Sequence, residues 1–346
     1  MPGAQIPTEL YLNPAWITGM IRTYPGIKMK GEEIFGKPKP HPSSIIQKAE
    51  IKNVRSSVYH NAPGAKANLQ KRSGIDAETI RAARLYDKKR ITMKNLKDAG
   101  VLANNGQILV GKEAYEEYIR NELEDIVTQY KITKEFERWD FLDDGKATFE
   151  YDDGTSQEVD VGFHNDQTRT VSTSWATATT DIIADHDIAM YWFEENVGDA
   201  NIKAYCGKNV MRNIFNNTKL QHGAGALIRN EILRTNTIQD FLGAQWFNHF
   251  TRAENAAGVM TSFVADNKVV YIAEGIPGAF REYSCPNELE MLQTLNKSIK
   301  LQNMGNGIVA YMEVLNDPPA IEIFVECNYM PLIRQPKAVY VLTTIP

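Results

Sequence analysis

Apolar residues recur every three or four positions from Tyr115 through Tyr118/Ile119, Leu123 and Ile126/Val127 to Tyr130, then at Ile132, Phe136 and Trp139. That spacing puts one buried stripe on a helix. No Gly or Pro falls between Gly111 and Gly145, so the pattern predicts a helix over about 112–143, roughly 45 Å long at about 1.5 Å per residue. The rest of its surface is mostly acidic. A rod with a single apolar side serves as a spine for sheets, leaving its other side to solvent or to a neighbouring copy of the protein.

The remaining pattern is arranged around this spine. Near the start, Asn13 before Pro14 is a helix N-cap with proline at the first helical position, followed by Trp16/Ile17, Met20/Ile21 and Tyr24 at helical spacing. Residues 27–73 are rich in Gly, Pro and Lys, with brief apolar patches at Ile34-Phe35, Ile45-Ile46 and Val58-Tyr59. Such a stretch buries too little to offset its ordering entropy and is expected to stay mobile or be ordered by another copy of the protein. Asp76 to Met93 reads as a helix capped by Asp76, with Lys88, Lys89 and Arg90 at its negative pole. Beyond the spine, alternation in 147–153 and 156–163 about Gly154-Thr155 predicts a hairpin. The polar run 164–180 is a loop or edge segment anchored by Trp175. Short helices follow near 181–196, 207–216, 222–234 and 237–249, then strands at 259–265 and 268–275, a compact mixed α/β region. Three tail strands, 307–317, 320–330 and 338–345, are punctuated by Pro318-Pro319 and Pro336.

Composition narrows the class without naming a chemistry. At 346 residues, 43% hydrophobic and 23% charged, the chain is folded and long enough for two domains or for one with large insertions. It shows neither a leader pattern nor an apolar run of membrane-spanning length, so neither secretion nor a membrane is expected. Cys206, Cys285 and Cys327 are odd in number and widely spaced, which suits a reducing compartment and buried small side chains. Net charge is −5, but it is unevenly spread. Residues 1–100 hold 18 Lys+Arg against 8 Asp+Glu, and residues 111–160 hold 6 against 16. The basic residues are scattered among Pro, Gly and Ser without interleaved stacking aromatics, which favours a basic arm on an acidic protein surface over nucleic-acid recognition.

Candidate chemistry is thin. Gly106 to Lys112 has phosphate-loop spacing, but Glu113 stands where a Ser or Thr would hold magnesium, and a turn rather than a buried strand precedes it. Asp185-His186-Asp187 offers three ligand types, yet adjacent residues do not share a helix face, and a surface helix is expected. His222-Gly-Ala-Gly225-Ala lacks the third glycine of a dinucleotide fingerprint. No Gly-x-Ser-x-Gly elbow occurs, no Cys lies in a local signature with a His, and His41, His60, His164 and His249 are isolated. No catalytic, cofactor-binding or metal-ligating residue is proposed, and no cofactor.

Taken in order, several short stretches resemble landmarks of the lambda-type (family E) major capsid proteins of tailed bacteriophages. They are Arg90-Ile-Thr-Met-Lys-Asn-Leu96 before the spine, Val159-Asp-Val-Gly162, Trp175, Asp187-Ile188, Gly278-Ala-Phe-Arg281-Glu-Tyr283, Asp317-Pro318, Met330-Pro331-Leu332 and Pro336. The resemblance covers nearly the whole chain after about residue 13. The sequence departs from the pattern at Cys327-Asn328, where the family commonly has Gln-Ser, and in lacking a Pro shortly before Asp187. The resemblance implies an α+β, Hong Kong 97-like capsid fold. In that fold residues 1–26 are an N-terminal arm, 27–75 an extended loop, 76–185 with 305–346 a peripheral domain carrying the spine, and 186–304 an axial domain. It further implies a structural, non-enzymatic protein that assembles into an icosahedral shell of pentamers and hexamers around double-stranded phage DNA. Its partners would be itself, portal, scaffold and decoration proteins, and packaged DNA bound without sequence specificity, with no membrane. It would reside in the virion after assembly in the bacterial host cytoplasm. A non-viral nanocompartment of the same fold and a soluble oligomeric α/β enzyme are the alternatives.

Overall fold

The computed structural model describes residues 29–49, 77–98, 112–150, 155–220, 232, 237–249, 251–255, 257–295, 302–305, 307–316 and 319–345. The expected helix after Asn13, most of the expected loop, the phosphate-loop-like turn and most of the helix expected near 222–234 lie outside these residues.

In chain order the first elements are α1 (Lys30–Phe35), β1 (Lys39–Pro40), β2 (Ile45–Ala49), β3 (Ala77–Arg81), β4 (Ala83–Thr92), α2 (Met93–Asp98) and α3 (Lys112–Asp144). The hairpin strands β5 (Lys146–Glu150) and β6 (Ser156–Asp160) follow, then β7 (Thr168–Thr170), α4 (Ile182–Asn196), β8 (Asn201–Cys206) and α5 (Lys208–Asn216). Next come β9 (Thr237–Phe241), β10 (Ala244–Asn248), β11 (Arg252–Glu254), β12 (Met260–Ser262), β13 (Lys268–Glu274) and β14 (Phe280–Ser284). The chain ends with α6 (Glu288–Leu295), β15 (Gln302–Gly305), β16 (Ile308–Asn316), β17 (Pro319–Ile333) and β18 (Val339–Thr343).

The long helix is α3, 33 residues within one position of the expected limits. It stops at Gly145, whose φ of +78° ends the helix and whose place a Cβ could not take, since it would lie 2.6 Å from the Phe163 ring. The hairpin and the three tail strands also appear where alternation placed them.

Two stretches read as helical are strands. Residues 77–92, expected within a capped helix, form β3 and β4, and β4 pairs with β17 from Ala83↔Tyr329 to Thr92↔Ala320. Ala, Arg and Lys favour helix locally, but ten consecutive pairings with an apolar partner strand outweigh a propensity of tenths of a kcal/mol per residue. Residues 237–248 are the hairpin β9–β10, turned by Leu242 and Gly243 with φ of 50° and 89°. A turn with two positive φ values usually shows Asn-Gly or Asp-Gly, so Leu242-Gly243 hid it.

The chain forms two compact units. The first comprises Met1–Ile46, Arg81–Glu135 and Glu282–Pro331, and the second Gln47–Ile80, Phe136–Arg281 and Leu332–Pro346. In this division β18 joins the second unit's sheet, while β16 and most of β17 belong to the first.

In the first unit, β17 is central in a sheet of order β1-β14-β17-β16-β15, with β4 also paired to β17. Ile321, Ile323, Val325, Cys327 and Tyr329 are all buried at period two along it. From α3, Ile119, Leu123, Ile126, Val127 and Tyr130 are buried, and the Tyr130 hydroxyl donates to the Val325 carbonyl at 2.8 Å. Two charged neighbours are buried as well. Lys134 Nζ lies 2.5 Å from Glu282 Oε1 and 4.7 Å over the Tyr329 ring, while Glu135 accepts from the backbone N–H groups of Gly31 and Glu32 at 2.6 and 3.2 Å. This corrects the expectation for residues 29–46. Met29, Phe35 and Ile46 are buried, and β1 pairs with β14, so the chain itself orders this part of the stretch. The missing signal was a carboxylate about a hundred residues away.

In the second unit the sheet order is β7-β18-β13-β8-β10-β9. Its core cluster joins Ile202, Ala204 and Cys206 of β8, Tyr271 of β13 and Tyr340 of β18 to Ile182, Ala189 and Phe193 of α4 and Val210, Met211 and Ile214 of α5. Trp139 packs edge-on to Tyr205, with ring centres 5.5 Å apart.

Changing Ile126, only 5% exposed, to Asp places a carboxylate in the interior of the first unit and should cost several kcal/mol. The expected result is aggregated protein. A soluble Ile126→Asp variant with an unchanged urea midpoint would show that this side of α3 does not support the fold.

Candidate assembly surfaces

Several of the residues singled out for chemistry are buried. The cysteines are buried and form no disulfide. Burial raises the Cys206 pKa well above the usual thiol value and pushes Cys285 up to about 11, so neither is a ready thiolate. Among the described residues no three His, Cys, Asp or Glu side chains are grouped to hold a metal ion.

Asp185, His186 and Asp187 diverge around α4. Asp185 accepts from Trp175 Nε1 at 2.9 Å and lies 3.6 Å from Arg169. His186 faces inward, fully buried, with Nδ1 3.2 Å from the Tyr271 hydroxyl and Nε2 3.4 Å from the Leu242 carbonyl. The expected surface helix is therefore a helix with a histidine in its core. His249 is likewise buried, 4.8 Å from the Trp139 ring.

The other landmarks are structural too. Trp175 is a fully buried anchor in the second unit. In Gly278-Ala-Phe-Arg281-Glu-Tyr283, the glycine has φ of +76° and sits so close to Arg281 that a Cβ would lie 2.8 Å from its guanidinium nitrogen. Glu282 of the same stretch is the buried partner of Lys134. No helical or strand periodicity marks Lys134, Glu135, Glu282 or Glu326 as interior, and the sequence reading missed them.

What remains open is surface. On the sheet of the first unit, Tyr86 stacks on Phe324 and Phe324 on Tyr311, with ring centres 6.5 and 5.8 Å apart, a ladder across β4, β17 and β16. Arg84 lies 4.7 Å over Tyr86, and Lys88 5.1 Å over Phe324. Arg84 also meets Glu326 at 2.8 Å and Glu288 at 2.9 Å, and Lys88 meets Glu322 at 2.6 Å. Lys89 pairs with Glu122 of α3. The basic triplet Lys88, Lys89 and Arg90 is thus on a strand rather than at a helix end, and its charge is matched by carboxylates of the same unit. A neutralised face bearing an exposed Tyr86 beside half-buried Phe324 and Tyr311 suits protein contact better than a polyanion. In the second unit, α4 exposes Ile183, Ile188 and Tyr191, the last at 67%, and the β11–β12 hairpin exposes Val259 and Met260.

The buried His186 carries a pH consequence. Its pKa is lowered, first by burial, which is opposed by the Leu242 carbonyl, Asp187 and the Phe241 carbonyl. The unfolded chain therefore takes up the proton first, and stability present above the usual value of about 6.5 falls as pH drops through it. Between about pH 7.5 and pH 5.5 the urea midpoint of His186→Phe should rise relative to wild type as pH falls, while groups shared by both, such as Asp140 with its pKa pushed up to about 6, cancel in the comparison. An equal slope in the variant would mean that His186 is not held neutral.

Solved structures share the fold, three of them as follows. A protein described as a prophage capsid protein, from E. coli CFT073, aligns over 96% of this chain and 99% of its own at 13% identity, with a TM-score of 0.64. A phage-related protein from Bordetella bronchiseptica RB50 aligns over 96% and 97% at 10% identity, TM-score 0.56. A chain from Gordonia phage Cozz aligns over 93% and 88% at 10% identity, TM-score 0.50. No curated protein matches the chain in sequence. The matched architecture is the mixed helix-and-sheet fold of tailed-phage capsid subunits. Residues 16–344 match the family described as phage major capsid protein E, and the chain belongs to that family.

Proposed function

We propose that copies of this chain close into an icosahedral shell of pentamers and hexamers that encloses double-stranded phage DNA. The observation that carries this is the family match across residues 16–344, nearly the whole chain. A structural role accounts for the length matched as well as for the fold. Portal, scaffold and decoration proteins would be its other partners, and assembly would take place in the cytoplasm of a bacterial host before the shell becomes part of the virion.

Within the subunit we assign the peripheral role to the first compact unit, with the spine α3 on its sheet, and the axial role to the second. Residues 136–185 and 332–346 then go with the axial part and residues 282–304 with the peripheral one, which the placement of β18 and β7 in one sheet supports. Residues 1–26 would be the arm, and the part of 27–75 beyond Ala49 the reaching portion of the extended loop. Neighbouring copies would be joined through these segments and through the aromatic ladder on the first unit's sheet.

Purified full-length chain should form closed particles visible by electron microscopy, and particles recovered from infected cells should protect double-stranded DNA from nuclease. A small soluble oligomer with no closed particles would overturn the proposal. Particles that hold protein cargo would replace it with a nanocompartment.

Deleting residues 1–28 should leave a soluble chain with native circular dichroism that assembles slowly or into open fragments, because the buried residues beginning at Met29 remain. Closed shells from that deletion would remove the arm from assembly. For the full chain, light scattering should show assembly slowing from about 50 mM to about 500 mM salt, since screening acts on long-range steering of basic segments toward acidic ones. An unchanged rate would show that charge does not guide encounter.

A further inference from the structure

The short helix α1 provides no cap of its own. Its N-cap position is Met29, which makes no side-chain hydrogen bond to the helix. The first-turn N–H groups of Gly31 and Glu32 are instead taken by the two carboxylate oxygens of Glu135, at 2.6 and 3.2 Å, from a fully buried position on α3. A six-residue helix is far below the length that is stable alone, so α1 depends on what it docks to. The same segment continues into β1, which pairs with β14 at Lys39↔Tyr283 and Pro40↔Ser284, and the His41 N–H donates to the Ser284 carbonyl at 2.8 Å. Beyond it, the Ser44 carbonyl accepts from the Ala82 N–H at 2.7 Å. Residues 29–46 therefore form a strap over the first unit, fixed at one end by the Glu135 carboxylate with the buried Met29 and Phe35, and further along by backbone pairing.

We propose that Glu135 is a positioning residue for assembly. By capping α1 from α3, it fixes the place on the first unit from which residues 1–28 depart, and so sets where the arm of one copy can meet the next. Glutamate suits the role because its two oxygens accept from two adjacent N–H groups at a helix N-terminus, where a negative charge is also favoured by the helix dipole. A glutamine there keeps one acceptor and the same length, and presents a donor to the second N–H. An alanine removes the acceptor from both N–H groups, the buried one of Gly31 and the part-buried one of Glu32. The second strap contact, β1 on β14, does not involve Glu135, so loss of the cap leaves the N-terminal end of the strap held by the buried Met29 and Phe35 alone, without a directional bond, while the rest stays paired.

This inference rests on the shell-forming role and on the arm's part in it, and its test keeps the two apart. Full-length wild type, Glu135→Gln and Glu135→Ala would be compared by amide hydrogen exchange and by assembly. Exchange at Gly31 and Glu32 should accelerate by about tenfold in the alanine variant and by less in the glutamine variant. Exchange in β16, β17 and β13 should be unchanged, and closed shells should become fewer in the same order. The graded effect of Glu135→Gln separates positioning from general loss of fold, and the glutamine variant is read alone if the alanine variant is insoluble. Fast α1 exchange with normal shell yield would overturn the positioning role, and unchanged α1 exchange would overturn the cap itself. If wild type forms no shells, the shell-forming reading fails, and with it the assembly role of Glu135.

Discussion

Lys134 and Glu282 lie 2.5 Å apart with side chains 3% and 0% exposed, a contact that restricts where α3 can sit in the first unit. Burying two charges is costly, and such a pair often adds little net stability over well-packed apolar side chains. Breaking it is another matter. A lone buried charge costs about 3–5 kcal/mol, so any placement of α3 that separates the two is strongly penalised. The apolar stripe of α3 could slide by a turn along the sheet and still bury comparable area, because hydrophobic attraction is not directional. The ion pair, the Tyr329 ring beneath Lys134 and the Tyr130 hydroxyl on the Val325 carbonyl permit one register.

Buried glutamates extend the same logic outward. Glu135 caps α1, and Glu326 accepts from the Glu288 and Leu289 N–H groups at the start of α6 while pairing with Arg84 of β4. Each carboxylate satisfies helix-end donors that local sequence leaves open, and each binds a peripheral element to the sheet or to α3. In a subunit that must present the same edges to many neighbours, fixing such elements by directional bonds holds their positions more closely than apolar contact alone. The second unit uses a different device, aromatic packing. Trp246 sits among His186, Phe241, Tyr271 and Trp175, with ring centres 5.5 to 6.4 Å apart.

Charge distribution along the chain also has a partly local explanation. The basic excess of residues 1–100 and the acidic excess of 111–160 meet inside the first unit where Lys89 reaches Glu122. Lys88 and Arg84 are matched instead by glutamates of β17, which sequence counting over those two windows does not include. A charge block in sequence is therefore not a charge patch in space until strand pairing is known. On β4 the pairing leaves a neutralised face with aromatics, a surface whose composition is closer to that of a protein contact than of a nucleic-acid groove.

The sequence by itself determined α3, the β5–β6 hairpin, the tail strands, the inward Trp175 and the order of landmarks by which the family could be recognised. All of these rest on periodicity, turn residues or local motifs, which are properties of neighbouring positions. Tertiary structure decided that residues 77–92 are strands, because β17 supplies a partner that no local window contains. It decided that Leu242 takes a positive φ, that His186 faces the core, and that β18 belongs with β13 and β7 rather than with β16 and β17. It also turned Lys134, Glu135, Glu282 and Glu326 inward. Charged residues are read as exposed because burial without a partner is prohibitive, and their partners lie across about 40 to 240 positions of sequence. Only folding brings those groups within hydrogen-bonding distance, and that proximity is what makes their burial affordable.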